Sequence, residues 1–379
     1  YLVNTITNNM ISRYLTPKLE SRLGSGKAII IVGPRQVGKT TLIKNLLEKK
    51  THLFLDGDDP TVRILLTNPN TEQLKNIIGK HKLVFIDEAQ RIENIGITLK
   101  IMTDQFKEVQ LIVSGSSAFE LNNQLNEPLT GRKWEYQLFP ISWKELEDTI
   151  GFVKSTQQLE LRIIYGMYPD VINRAGDEKE VLKQLADSYL YKDILAFGGI
   201  RKPEILEKLL QALALQIGNE VSYNELSQLL GIDKNTVSTY IDILEKAFVI
   251  FKLKSFSRNL RNEIKTNQKI YFYDTGIRNM VIGNFNALEL RQDKGALWEN
   301  FLISERMKKI HYEGSLAKPY FWRTVQQQEI DYVEETAGRI TGYEIKWKAT
   351  AKVKIPRLFT ETYKAETVVL TRENFNQFL

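Results

Sequence analysis

Gly33-Pro-Arg-Gln-Val-Gly38-Lys39-Thr40 carries the spacing G-x-x-x-x-G-K-[ST] without a mismatch. Each fixed position has a chemical reason. The glycines let backbone N–H groups curl around a phosphate, Lys39 would reach the β- and γ-phosphates, and the Thr40 hydroxyl would join a magnesium shell. Gly33, Pro34, Arg35, Gln36, Val37, Gly38, Lys39, Thr40 and Thr41 are therefore the expected ATP-binding set. Leu83-Val-Phe-Ile-Asp87-Glu88 supplies a second half: an apolar run ending in two carboxylates. Asp87 would hold Mg²⁺ and Glu88 would polarise the attacking water. Ser114 or Ser116, in Ser114-Gly-Ser-Ser117, would sense the γ-phosphate or the water. Arg132 would stabilise transition-state charge, in cis or across a subunit interface.

Two further groups of residues suggest chemistry. Glu329-Ile-Asp331-Tyr-Val333 and Tyr343-Glu344-Ile345-Lys346-Trp347 alternate polar with apolar, as half-buried strands do. Residues two apart on a strand share a face, so Glu344 and Lys346 point the same way. With Asp331 they would form the D…E-x-K arrangement of restriction-type nucleases, and Glu299 would add a third carboxylate to a second Mg²⁺ site. The other group starts at Ser222-Tyr-Asn-Glu225, a capping box opening a helix over 225–230 that Gly231 ends. Asp233 would cap the next helix, over 235–247. This helix-turn-helix would present Lys234, Asn235, Thr236, Ser238 and Thr239 to DNA. Lys252, Lys254, Arg258, Arg261 and Lys265, with Phe251 and Phe256 between them, suit a phosphate backbone. A solvated basic face and a protein-packing module are the competing readings of that segment.

The elements that must position these residues follow from apolar patterning. Ala28–Val32, Leu53–Leu55, Leu83–Ile86 and Val109–Val113 read as short buried strands. Residues 11–24 and 41–49 read as helices. Strands alternating with helices imply a parallel sheet covered on both faces. Residues 155–215 turn helical, and 295–379 return to mixed α and β. The expected division is an α/β nucleotide-binding domain over 1–150, a helical lid over 151–215, a winged helix over 216–285 and a nuclease-like α/β domain over 286–379.

The ordered set of motifs resembles a known family. Gly33–Thr41, Phe85-Ile-Asp-Glu-Ala-Gln-Arg91, Ser114–Ser117 and Leu129-Thr-Gly-Arg132 are similar to the AAA-type ATPases of bacteria and archaea that carry a C-terminal domain of unknown function 4143. Tyr165-Gly-Met-Tyr-Pro169, Tyr191-Lys-Asp193, Tyr271-Phe-Tyr-Asp-Thr-Gly276, Trp298-Glu-Asn300 and Phe321-Trp-Arg323 through Asp331 extend the likeness over about residues 11–350. The resemblance implies a P-loop AAA-type core with a winged-helix and restriction-nuclease-like tail. Met167 departs from the glycine usual at its position. Arg162 and Arg174 are the candidates for a second sensor arginine.

Composition narrows the rest. The 379 residues contain no cysteine, which excludes disulfides, thiolate metal sites and thiol catalysis. Three scattered histidines make no metal site. No apolar run reaches the ~20 residues that span a bilayer. There is no basic-then-apolar leader, Tyr1 is not a start methionine, and a cytoplasmic location is expected. The net charge of +6 permits a nucleic-acid partner. The expected function is ATP hydrolysis with Mg²⁺ by a homo-oligomer acting on branched or broken DNA. The alternatives are a nucleotide-gated defence switch binding a protein, and an ATP-licensed Mg²⁺-dependent nuclease.

Overall fold

Ala28-Ile-Ile-Ile-Val32 is buried at every position, as a strand covered on both faces must be. It is β1 of a computed structural model that describes residues 11–116, 128–187, 202–257, 268–348 and 353–379. The chain divides into two compact units. One holds residues 11–141 with Lys246–Phe248; the other holds Ser142–Glu245 with Val249–Leu379.

In the first unit, α1 (Leu15–Arg22), β1, α2 (Lys39–Leu47), β2 (Leu53–Asp56), α3 (Pro60–Leu66), α4 (Thr71–Ile78), β3 (Leu83–Asp87), α5 (Ile95–Gln105), β4 (Gln110–Gly115) and β5 (Lys133–Gln137) follow in order. The sheet runs β2-β3-β4-β1-β5 with every pair parallel. The strand order reverses beside β1, so its carboxyl end opens where ligands bind in sheets of this kind. β5 has no apolar run, because Lys133-Trp-Glu-Tyr-Gln137 is an edge strand left half-buried or exposed.

The second unit starts with helices: α6 (Trp143–Ile150), α7 (Phe152–Tyr165), α8 (Pro169–Asn173), α9 (Glu178–Leu185) and α10 (Pro203–Leu215). Then come β6 (Glu220–Val221), α11 (Tyr223–Leu230), α12 (Lys234–Lys246), β7 (Ile250–Ser255), β8 (Gln268–Phe272) and α13 (Thr275–Val281). The chain ends with α14 (Lys294–Glu313), β9 (Lys318–Arg323), β10 (Glu329–Thr336), β11 (Arg339–Ile345), α15 (Arg357–Tyr363) and β12 (Glu366–Leu370). All seven strands make one mixed sheet, β12-β11-β10-β9-β7-β8-β6. The parallel register Lys254↔Tyr320 and Ser255↔Phe321 joins the middle segment to the tail. Segments 151–215, 216–285 and 286–379 fall in one compact unit, the last two joined by this ladder.

Two of the quoted motifs turn out to be a structural joint. Asp274 accepts from the Met167 N–H at 2.6 Å and caps α13 through the Ile277 N–H at 3.1 Å. Asn279 donates to the Ile164 carbonyl at 2.7 Å. A side chain on Gly276 would put Cβ 2.1 Å from the Tyr165 carbonyl oxygen. Met167 is tolerated there because Asp274 uses only its N–H, while its side chain packs in the core. Nearby, Asp293 bonds the buried Arg278 and Arg291 at 2.5 and 2.8 Å.

Gly276→Ala should therefore lower stability by about 1–3 kcal/mol, because backbone must shift to relieve the overlap. An unchanged urea midpoint would contradict this. Partial burial raises the Asp293 pKa, but the bonds and charges of Arg291 and Arg278 outweigh it and hold the group at about 2. Its folded pKa is depressed, so its contribution is present above about pH 4 and is lost as pH falls through about 2. Asp293→Asn should flatten that acid limb of a stability–pH curve.

Candidate nucleotide site and C-terminal cavity

The loop between β1 and α2 is shaped by close backbone approach. Gly33 has φ +154°, and a Cβ there would lie 2.1 Å from the Leu138 carbonyl oxygen. Gly38 takes φ +92° to open α2. Arg13 ties the loop to the segment after β5, donating to the Val37 carbonyl at 2.7 Å and the Phe139 carbonyl at 2.6 Å. Lys39 is buried and folds back over the loop, donating to the Gly33 and Pro34 carbonyls at 2.9 and 2.8 Å. Burial brings its pKa down to about 8, against the opposing charges of Glu88 and Asp87. An ammonium held in this way favours an anion.

Asp87 ends β3 beside this loop. It accepts from Thr40 Oγ1 at 2.7 Å, from the Ser114 hydroxyl, and from the Glu88 N–H at 3.1 Å. The hydroxyl of Thr40 and the carboxylate of Asp87 are hard oxygen donors that fit Mg²⁺. Glu88 follows with φ 47° and ψ 40°. Its Oε2 accepts from Gln90 Nε2 at 2.5 Å and from Ser116 Oγ at 3.3 Å. Ser114 and Ser116 thus serve the two carboxylates, one each. Arg132 is elsewhere: Ala28 N–H bonds its carbonyl, so it sits at the amino edge of the sheet, opposite Lys39. Its guanidinium pairs with Asp104 at 2.6 Å. That placement puts the length of β1 between Arg132 and the phosphate loop.

The second unit holds a polar cavity of about 400 Å³ where the middle segment meets the tail, lined by Glu299, Glu329, Asp331, Glu344, Lys269 and Lys346 among others. The register Tyr332↔Tyr343 sets the preceding Asp331 against Glu344. Lys346 bridges both, at 3.1 and 2.8 Å. Lys269, on β8, bridges Glu299 at 3.2 Å and Glu329 at 2.5 Å, and Tyr271 donates to Glu299 at 2.5 Å. Burial raises Glu299 to about 7 despite Lys269. Burial also raises Glu344, and Asp331 reinforces the shift. Among the described residues no three Asp, Glu or His side chains form a metal-binding group. Glu299, Asp331 and Glu344 line the same cavity, Asp331 and Glu344 sharing Lys346 and Glu299 paired with Lys269. In Trp298-Glu-Asn300, Trp298 packs in the core, Glu299 lines the cavity, and Asn300 clamps the Phe272 backbone with two bonds of 2.8 Å.

The expected DNA-facing residues divide. Lys234 and Asn235 are exposed at the start of α12. The Thr236 hydroxyl and N–H both go to Asp233 in the cap, so its hydroxyl is already engaged. Lys252 is not a solvated cation, since Asp242 and Glu245 of α12 hold it. Phe251 and Phe256 are buried in the core. Arg258, Arg261 and Lys265 lie outside the described residues, as do Ser117 and Tyr191–Asp193. Arg162 is buried within α7 with Nε and Nη1 unbonded, and Arg174 is exposed beside Asp170.

Sequence reasoning missed Arg13, Gln90, Lys269 and Glu329 as site residues. Gln90 stood inside a quoted motif, and its place two residues after Glu88 was the available signal. Lys269 carried no local signal, because its partners lie on α14 and β10.

Family models match three stretches: an AAA domain over residues 25–147, a domain of unknown function (DUF8612) over 156–288, and another (DUF4143) over 294–379. The chain carries an AAA domain and a C-terminal DUF4143 domain. The joint formed by Tyr165–Pro169 and Tyr271–Gly276 lies in the DUF8612 stretch, ahead of the DUF4143 domain. An uncharacterized protein of Mycobacterium tuberculosis is 28% identical over 341 residues, covering 89% of this chain and 74% of its own. The energy-coupling factor transporter ATP-binding protein EcfA1 of Thermotoga maritima is 31% identical over 134 residues, 33% of this chain and 49% of its own. Among solved structures, the Walker-type ATPase PABY2304 of Pyrococcus abyssi superposes with a TM-score of 0.51 at 17% identity. It covers 73% of this chain and 97% of its own length. That likeness concerns the fold, which is of the P-loop ATPase type. No helix among the described residues is long and apolar enough to cross a membrane.

Gly33→Ala should force β1 and β5 apart, since the new Cβ meets backbone. A fall in stability of about 1–3 kcal/mol is expected. A melting transition identical to that of the unaltered chain would contradict the close approach.

Proposed function

We propose that this AAA-domain chain binds ATP with magnesium at the carboxyl edge of its first sheet, hydrolyses it, and couples turnover to DNA held by the second unit. One observation carries the reading: Lys39 and Thr40 at the head of α2 meet Asp87 at the end of β3, with Glu88 next to it, around one loop. The backbone N–H groups of Gly33–Thr40 and the amino end of α2 would hold the phosphates. Lys39 would exchange its carbonyl partners for phosphate oxygens. Glu88 would take a proton from the water whose oxygen bonds the γ-phosphorus as the bond to the β–γ bridging oxygen breaks, releasing ADP and phosphate. Magnesium, held through Thr40 and Asp87, would offset phosphate charge. Arg132 would reach only the nucleotide of another copy, which makes a homo-oligomer part of the proposal.

DNA enters through the order of elements in the middle segment. A helix, a short strand, two helices and two strands, α10 to β8, is the order of a winged helix, and Lys234 and Asn235 are exposed on it. Binding should weaken as salt rises, and Lys234→Ala should reduce the logarithmic salt slope by about 1. Hydrolysis should quicken on at least one of linear, single-stranded or branched DNA. Equal rates on all three, with no salt-dependent binding, would leave the protein-partner switch as the better reading.

A specific observation also favours magnesium-dependent cleavage: Asp331, Glu344 and Lys346 meet in one cavity. Asp331→Ala and Glu344→Ala should each abolish Mg²⁺-dependent nicking of DNA while ATP hydrolysis persists. Cleavage that survives both changes would remove this second activity.

A further inference from the structure

Gln90 has no part in the phosphate loop and no charge, yet it is buried beside Glu88. Its Nε2 donates to Glu88 Oε2 at 2.5 Å and to Ser116 Oγ at 2.9 Å. Both amide protons are thereby used. Ser116, accepting from Gln90, turns its own proton to Glu88 Oε2 at 3.3 Å. The three side chains close a ring on one oxygen of the carboxylate. The orientation of the amide follows from chemistry: reversed, Oε1 would face a carboxylate oxygen, acceptor against acceptor. Gln90 Oε1 is instead buried without a hydrogen-bond partner. An unpaired buried acceptor is costly, and such costs gather where function needs a fixed geometry.

Glu88 itself is held in the left-handed region, which a glutamate seldom adopts. Its charge is the strongest of those opposing the lowered pKa of Lys39, so the carboxylate faces the phosphate loop electrostatically. The terminal torsion of a glutamate is a broad rotor that lets the two carboxylate oxygens exchange places. Donors fixed to one oxygen stop that rotation and leave the other oxygen as the basic lone-pair site.

We propose that Gln90, together with Ser116, is a positioning residue that clamps Oε2 of Glu88 and so presents Oε1 to the attacking water. This rests on the hydrolysis reading above. Gln90 acts only through Glu88, so its contribution belongs to the chemical step and not to nucleotide affinity.

The test is single-turnover hydrolysis of Mg·ATP by the full chain, with affinity measured separately by a fluorescent ATP analogue. Gln90→Leu keeps the volume and removes the donor. The turnover rate should fall at least about tenfold, as misplacement of a catalytic group does, with analogue affinity unchanged. In a Glu88→Gln background, Gln90→Leu should cause no further loss. Ser116→Ala should show the same pattern, and it carries the test if Gln90→Leu does not fold. Wild-type or faster turnover in Gln90→Leu would overturn the proposal while leaving hydrolysis intact. So would a loss of affinity matching the loss of rate, or an undiminished effect in the Glu88→Gln background. No turnover by the unaltered chain would overturn the hydrolysis reading, and this proposal with it.

Discussion

The first unit depends on the Asp87 carboxylate. It takes hydrogen bonds from Thr40 at the head of α2, from Ser114 on β4 and from the next N–H of its own chain. With Asp87 at the end of β3, these partners bring α2, β3 and β4 together at one edge of a parallel sheet. A carboxylate this buried needs several donors, because an unpaired charge away from water is expensive. Meeting that need fixes the loop, the acidic pair and the serine strand in one arrangement. Gly57 adds a further tie, its N–H bonding the Asp87 carbonyl at 2.9 Å across from β2. The chemistry proposed for the edge thus uses contacts that also hold the edge together.

In the second unit the comparable constraint is the pairing of buried charge. Lys269 and Lys346 stand among four carboxylates, and Asp293 stands between two arginines. Lys269 comes from β8 and its partners from α14 and β10. The cavity is therefore built by residues that match two different family models. Removing one partner of such a pair leaves an uncompensated charge, which costs far more than the pair contributes. This explains why the tail and the middle segment share a sheet: the polar cavity is complete only when both are in place.

Much of the first unit was legible in the sequence. Apolar runs with turn residues after them mark β1 to β4, and the phosphate loop announces itself through glycine and lysine at fixed spacing. β5 was not legible, because an edge strand needs no continuous apolar face. Within the site, the residue types at Lys39, Thr40, Asp87 and Glu88 carry their chemistry locally. Arg132 could not be placed from sequence, since its side of the sheet depends on the register of β5 against β1. Lys252 looked like a free cation because its two carboxylate partners lie on the preceding helix. The Asp331, Glu344 and Lys346 grouping was readable from strand periodicity. Lys269 was not, as no local pattern reports a contact with residues that follow it by 30 and 60 positions. The motifs Tyr165–Pro169 and Tyr271–Gly276 were legible only as part of a family likeness, and in the fold their glycine and aspartate serve close packing.

The most direct measurement is phosphate release from Mg·ATP by the unaltered chain and by Glu88→Gln, with nucleotide binding followed in parallel. The unaltered chain should release phosphate. Glu88→Gln should bind the nucleotide equally well and release phosphate at least about 100-fold more slowly, the scale set by loss of a positioned base. Absence of release from the unaltered chain, or equal release by both, would contradict the account.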